Sequence, residues 1–192
     1  MTDYFTDDDS VLENKLGISD PKALQDAEQD IVTKKTARLI TEKSPTQFDF
    51  NYLKYLHKIL FEDIYDFAGK IRTVDIAKAD SSVPFAHAPF IITEGERIFE
   101  DLRGKQYLAD LGKQAFIKEI ARLATELNAL HPFREGNGRT IRLFLILLAD
   151  RAGYLLDYSQ VSAGELIDAD KRAFEGDMTP LTSVYQKVVI ST

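Results

Sequence analysis

Between Phe116 and Arg151 the chain carries two strongly apolar helical stripes separated only by a short break. Phe116, Ile117, Ile120, Leu123, Ala124, Leu127 and Leu130 recur at three- and four-residue spacings. That pattern predicts a helix, and its mostly apolar composition places it at the centre of a core. A second such helix is predicted from Gly138 to Arg151, closed by Gly153. A chain organised around this pair is mainly α. The flanking sequence agrees. Ser19-Asp20-Pro21 is a helix start, with a capping side chain followed by Pro. Leu24, Ala27, Ile31 and Leu39 carry that helix to about residue 42, where Ser44-Pro45 breaks it. Asp49 caps the next helix, in which Leu53, Leu56, Leu60 and Ile64 recur, with Gly69 as its stop. Pro89 begins another, running to about Gly104, and two shorter helices are predicted at about 162–175 and 179–190. Residues 70–88 differ. Ile71-Arg-Thr-Val-Asp-Ile76 is a short β-branched run, Asp80–Pro84 a turn, and Phe85-Ala-His87 a return; the expectation is a small β-hairpin or flap.

Composition narrows the function classes. With 192 residues, 44% of them hydrophobic, the chain suits one globular domain, here assigned to 19–192. Residues 1–18, with Asp7, Asp8 and Asp9 in a row, are expected to form a loose acidic arm. A net charge of −7 argues against nucleic acid as a partner, because such proteins present a basic face. There is no cysteine, so disulfides and thiolate metal sites are excluded. Only three histidines occur, His57, His87 and His131, too few for a clustered zinc site. No targeting segment is expected, since the first ten residues are acidic. The longest apolar run, Leu143 to Ala149, is far too short to span a bilayer, so no membrane association and a cytoplasmic location are expected.

The chemistry concentrates in the break. Pro132 forces His131 out of the right-handed helical region, which leaves its ring at the end of the first helix, able to serve as a base. Phe133 is an apolar anchor for the turn. Gly136-Asn137-Gly138 lets consecutive backbone N–H groups point one way, an anion nest opening into a helix N-terminus. Arg139 and Arg142 follow on one helical face. Cations in a first turn are unfavourable by roughly 0.3–1 kcal/mol each, and a bound polyphosphate would offset that. Glu135 would repel the same phosphates unless a Mg²⁺ ion lay between them. Thr140 is the only hydroxyl nearby, so the attacking group is expected from a second substrate. Plainer readings stand beside these. Asn137 could be an N-cap, Glu135 a solvated acid, Arg142 half of a surface ion pair, and His57 a core or surface residue. His87 could be structural, or could touch nucleotide or target.

His131-Pro-Phe-Arg-Glu-Gly-Asn-Gly-Arg139 resembles the HPFx[D/E]GNGR signature of the Fic family at every specified position. Phe61 to Asp75 is similar to the family's segment leading into its flap, and the likeness covers roughly residues 50–160. The resemblance implies a Fic-type helical bundle and AMP transfer from ATP to a Ser, Thr or Tyr hydroxyl of a target protein, with release of pyrophosphate. His131 would be the general base and Glu135 the Mg²⁺ ligand. Gly136, Asn137 and Gly138 would form the phosphate-binding turn, with Arg139 and Arg142 on the β- and γ-phosphates. Thr73, Val74, Asp75, Ile76, Phe85 and His87 would belong to a flap that registers the target segment by strand addition. Many members are restrained by a helix carrying [S/T]xxxE[G/N], whose Glu pairs with the second motif arginine. In this chain the Glu-Gly and Glu-Asn pairs at 13, 94, 135 and 175 are preceded four residues earlier by Asp9, Phe90, His131 and Lys171. The motif is therefore absent. The expectation is a separate small antitoxin-like inhibitor, as in the toxin–antitoxin branch. Two alternatives remain. One is a Doc-type phosphotransferase, against which Gly138 speaks because that branch has Lys there. The other is a non-enzymatic helical binding module.

Overall fold

In the computed structural model the described residues are 11–42, 45, 47–76 and 84–191. Helix α1 spans Pro21–Thr41 and α2 spans Phe50–Phe61. Helices α3 (Ile91–Gly104) and α4 (Lys113–Leu130) follow. Helix α5 is Asn137–Arg151, α6 is Ala163–Phe174 and α7 is Thr179–Val188. Their starts are set locally. The Asp20 and Asp49 carboxylates each accept a backbone N–H of the first turn at 2.7 Å, and the Ser162 hydroxyl accepts that of Glu165 at 3.1 Å.

The two apolar stripes do form the centre. Helix α4 packs against α3, α5, α6 and α7, while α5 packs against α1, α2 and α4. Phe116, Ile120, Leu127, Phe144 and Leu148 are fully enclosed between them. Helix α1 therefore lies over the start of α5, which places it beside the loop that joins α4 to α5.

Four boundaries differ from the sequence expectation. Helix α2 ends at Phe61 rather than Gly69. The chain then doubles back on α2, so closely that a Cβ on Gly69 would lie 2.7 Å from Lys58 Cβ. Residues 11–18 are not a loose arm: Val11 is buried and the Lys15 N–H donates to Ile64 O at 2.8 Å. Residues 1–10 lie outside the described residues. Helix α7 stops at Val188, because Val189 turns extended and begins strand β2, Val189–Ser191. That strand pairs antiparallel with β1, Tyr154–Leu156, with Tyr154 opposite Ser191.

The fourth difference is the flap. The described residues of 70–88 form no strand; the one sheet among the described residues is β1–β2. Among the described residues the backbone–backbone bonds of the two legs run to the α4 end instead of to each other. Arg72 N–H donates to Pro132 O at 2.9 Å, and Ala86 N–H donates to Ala129 O at 3.0 Å. The expected turn falls mostly within 77–83, outside the described residues.

Candidate active site

The α4–α5 loop is built by its own side chains. His131 takes φ 44° and ψ 61°, the left-handed conformation that ends α4. Phe133 is fully buried and stacks on His57, ring centroids 3.8 Å apart. The His57 ring is fixed at both nitrogens: Nδ1 accepts from the Gly69 N–H at 2.8 Å, so Nε2 carries the proton and donates to Glu135 O at 2.9 Å. Burial pushes its pKa down to about 4, so the ring is neutral at ordinary pH. Asn137 closes the turn: its Oδ1 accepts the Phe133 N–H at 2.9 Å and its Nδ2 donates to Phe133 O at 2.8 Å. The Asn137 side chain is thus a clamp, and only its backbone remains for a ligand. Gly136 has φ +77°, and a Cβ there would lie 2.2 Å from Phe61 Cζ. Only glycine fits.

The result is an open helix mouth. The N–H groups of Asn137, Gly138 and Arg139, orphaned by their place in the first turn of α5, have no acceptor among the described residues. A cavity of about 700 Å³ lies there, lined by Glu135, Gly136, Gly138, Arg139 and Arg142 on one side. Leu24, Gln25, Glu28 and Gln29 of α1 line the other side. Arg142 forms no hydrogen bond or ion pair among the described residues, so the surface-pair reading fails. Arg139 is already paired with acids. Its Nη2 pairs with Glu28, lies 3.3 Å from Glu135 Oε1, and its guanidinium sits 5.0 Å from the Phe61 ring centre. Glu135 Oε1 also accepts the Gly136 N–H at 2.8 Å, while Oε2 has no partner among the described residues.

The His131 ring is half-buried. It stacks on Phe85, centroids 3.8 Å apart, and its Nδ1 lies 3.3 Å from Asn128 O. A carbonyl accepts only from a protonated nitrogen, so Nδ1–H points there and Nε2 is the basic atom. Phe85, expected in the flap, is therefore the wall against which His131 rests. Asp75 and His87 hold the two legs together: Asp75 accepts from the His87 ring at 2.8 Å and from the Ala88 N–H at 2.7 Å. Those bonds, the His87 one foremost, hold the Asp75 carboxyl below its usual range. Thr73 and Val74 are exposed and Ile76 is half-buried.

Sequence reasoning missed four residues here. Arg72 is fully enclosed and donates to the carbonyls of His131 (2.8 Å), Val74 (2.8 Å) and Ala86. No local pattern marks it as buried. His57 was read as core or surface without its role under the loop. Glu28 and Tyr65 form a buried hydrogen bond beside Arg139. Glu28 did leave a signal, because it falls between Leu24 and Val32 on the buried stripe of α1.

The chain matches the Fic/DOC family over residues 47–149, more than half its length. It is 34% identical over 179 residues to an Escherichia coli protein named probable protein adenylyltransferase Fic, covering 93% of this chain and 88% of that one. It is 36% identical to the protein adenylyltransferase VbhT of Bartonella schoenbuchensis over 96% of this chain, which spans 38% of that longer protein. Among solved structures, an N-terminal Fic domain from Bartonella quintana with bound ADP superposes with a TM-score of 0.96 at 28% identity, covering 98% of this chain and 95% of that one. The BepC protein of Bartonella tribocorum with bound AMPPNP gives 0.92 at 28% identity, covering 98% and 97%. Matched by the family across its two central helices, and by relatives along nearly all of its length, the chain belongs to the Fic/DOC family.

Proposed function

We propose that this site transfers AMP from ATP to a Ser, Thr or Tyr hydroxyl of a target protein; the chain is a protein adenylyltransferase of the Fic type. The observation that carries the reading is the open mouth of α5. Gly138 and Arg139, whose N–H groups are orphaned, and Arg142, which has no ion pair among the described residues, line one cavity, an arrangement suited to a polyphosphate. His131 Nε2 takes the proton from the target hydroxyl as its oxygen attacks the α-phosphorus. The bond from that phosphorus to the bridging oxygen breaks, and pyrophosphate leaves, held by the N–H groups and Arg142. The flap legs, pinned by Arg72 and Asp75, bring the target segment alongside.

The residues present fit a Mg²⁺ ion bound together with the nucleotide. Glu135 offers one half-exposed carboxylate at the cavity edge, and no cluster of three or more His, Cys, Asp or Glu among the described residues could hold a metal without phosphate oxygens. Glu135 would hold it, and the ion would offset negative charge on the phosphates. A small separate inhibitor, supplying a glutamate toward Arg142, fits the missing restraint motif and the likeness to VbhT.

The test is incubation of wild type and His131→Ala with ATP labelled on the α-phosphate, Mg²⁺ and cell lysate. A labelled protein band with wild type alone is expected. Absence of any His131-dependent label would sink the reading.

A further inference from the structure

Among the described residues Glu28 is the one buried acid, and the proposed chemistry does not use it. Its side chain is only 8% exposed. It lines the same cavity as Gly138 and Arg142, accepts from the Tyr65 hydroxyl and pairs with Arg139. Burial, then the bond to Glu28, raises the Tyr65 pKa well above its usual value, so Tyr65 acts there only as a donor. Both Glu28 Oε1 and Glu135 Oε1 approach the same Nη2 of Arg139. That arginine retains donors on its other nitrogens, yet its charge is already balanced. The charged residues lining the cavity are Glu28, Glu135, Arg139 and Arg142, which sum to zero. A seat for a triphosphate is expected to carry an excess of positive charge.

We infer, on the basis of the triphosphate seat proposed above, that Glu28 sets the affinity of that seat: its carboxylate holds Arg139 from α1 and acts as a built-in competitor of the nucleotide's phosphates. The sequence around it, Leu24 to Gln29, lacks the family's restraint motif, and it engages Arg139 rather than Arg142. It is thus a distinct determinant, one that weakens the seat without closing it.

The experiment is equilibrium binding of ATP with Mg²⁺, of pyrophosphate and of adenosine to the full chain, in wild type, Glu28→Gln and Arg142→Ala. Removing the Glu28 charge is expected to tighten ATP and pyrophosphate about tenfold, or about 1.4 kcal/mol, and to leave adenosine unchanged. KM for ATP should fall in parallel while kcat does not rise. A purely structural tie between α1 and α5 would lower the melting temperature and leave phosphate affinity unmoved. Equal or weaker pyrophosphate binding in folded Glu28→Gln therefore overturns the inference. Pyrophosphate binding by Arg142→Ala as tight as wild type overturns the seat itself, and that failure is separate. If the Gln variant does not fold by circular dichroism, Glu28→Ala, which leaves no buried polar atom at that point of α1, carries the same test.

Discussion

Gly136 shows how little latitude single positions of the loop have. Its left-handed φ of +77° would cost an L-residue about 1–2 kcal/mol, and a Cβ would overlap Phe61 at 2.2 Å. Gly136→Ala is expected to lose about 2 kcal/mol or more, lowering the melting midpoint by several degrees, and to lose pyrophosphate binding because the loop must shift. Wild-type binding in this variant would show that the turn is not the seat. Asn137 works differently. Replacing it with Ala leaves the N–H and C=O of Phe133 buried without partners, at a cost of about 1–3 kcal/mol for each group. Chemical denaturation of Asn137→Ala should show a midpoint well below wild type with the slope unchanged.

Between elements, Arg72 links the flap legs to the end of α4. A lysine has one nitrogen and cannot serve the carbonyls of His131, Val74 and Ala86 together. Arg72→Lys is expected to cut the rate of transfer to a protein target by tenfold or more while ATP affinity stays near wild type, because Arg72 is not among the residues that line the α5 cavity. An equal loss of both would contradict this division. The same elements show what the chain made legible. Helix starts at Asp20, Asp49 and Ser162 were readable because a cap acts within three residues. The loop was readable because the residues that close it and line its cavity, His131 to Arg142, fall within a dozen positions. The flap legs were misread as a paired hairpin because their true partners, Pro132 and Ala129, lie far along the chain. Glu28 escaped notice because its partner Arg139 is 111 residues away; α1 had to be placed over α5 before the contact existed.

At the scale of the molecule, the neutral His57 under the loop ties stability to acidity. The unfolded imidazole takes up a proton near 6.5, and the folded one only near about 4 because it is buried. Between those values the unfolded chain binds more protons, so stability rises with pH. The contribution is complete above about 6.5 and is lost as pH falls toward about 4, a change on the order of 3 kcal/mol. Thermal melts from pH 7 down to 4.5 should show a steep loss in wild type and a shallower one in His57→Gln, so the two curves converge; parallel curves would exclude His57 as the cause. The core pair α4–α5 was readable at this scale too, since its apolar stripes need no distant information to identify them. The bonds from the Arg72 guanidinium to His131, Val74 and Ala86 all end on main-chain oxygens, which every amino acid presents alike. Val74 and Ala86 can therefore change their side chains while the guanidinium keeps its hold, and the neighbours that cannot change freely are the two whose own side chains are engaged, Asp75 across the legs and Phe85 behind His131.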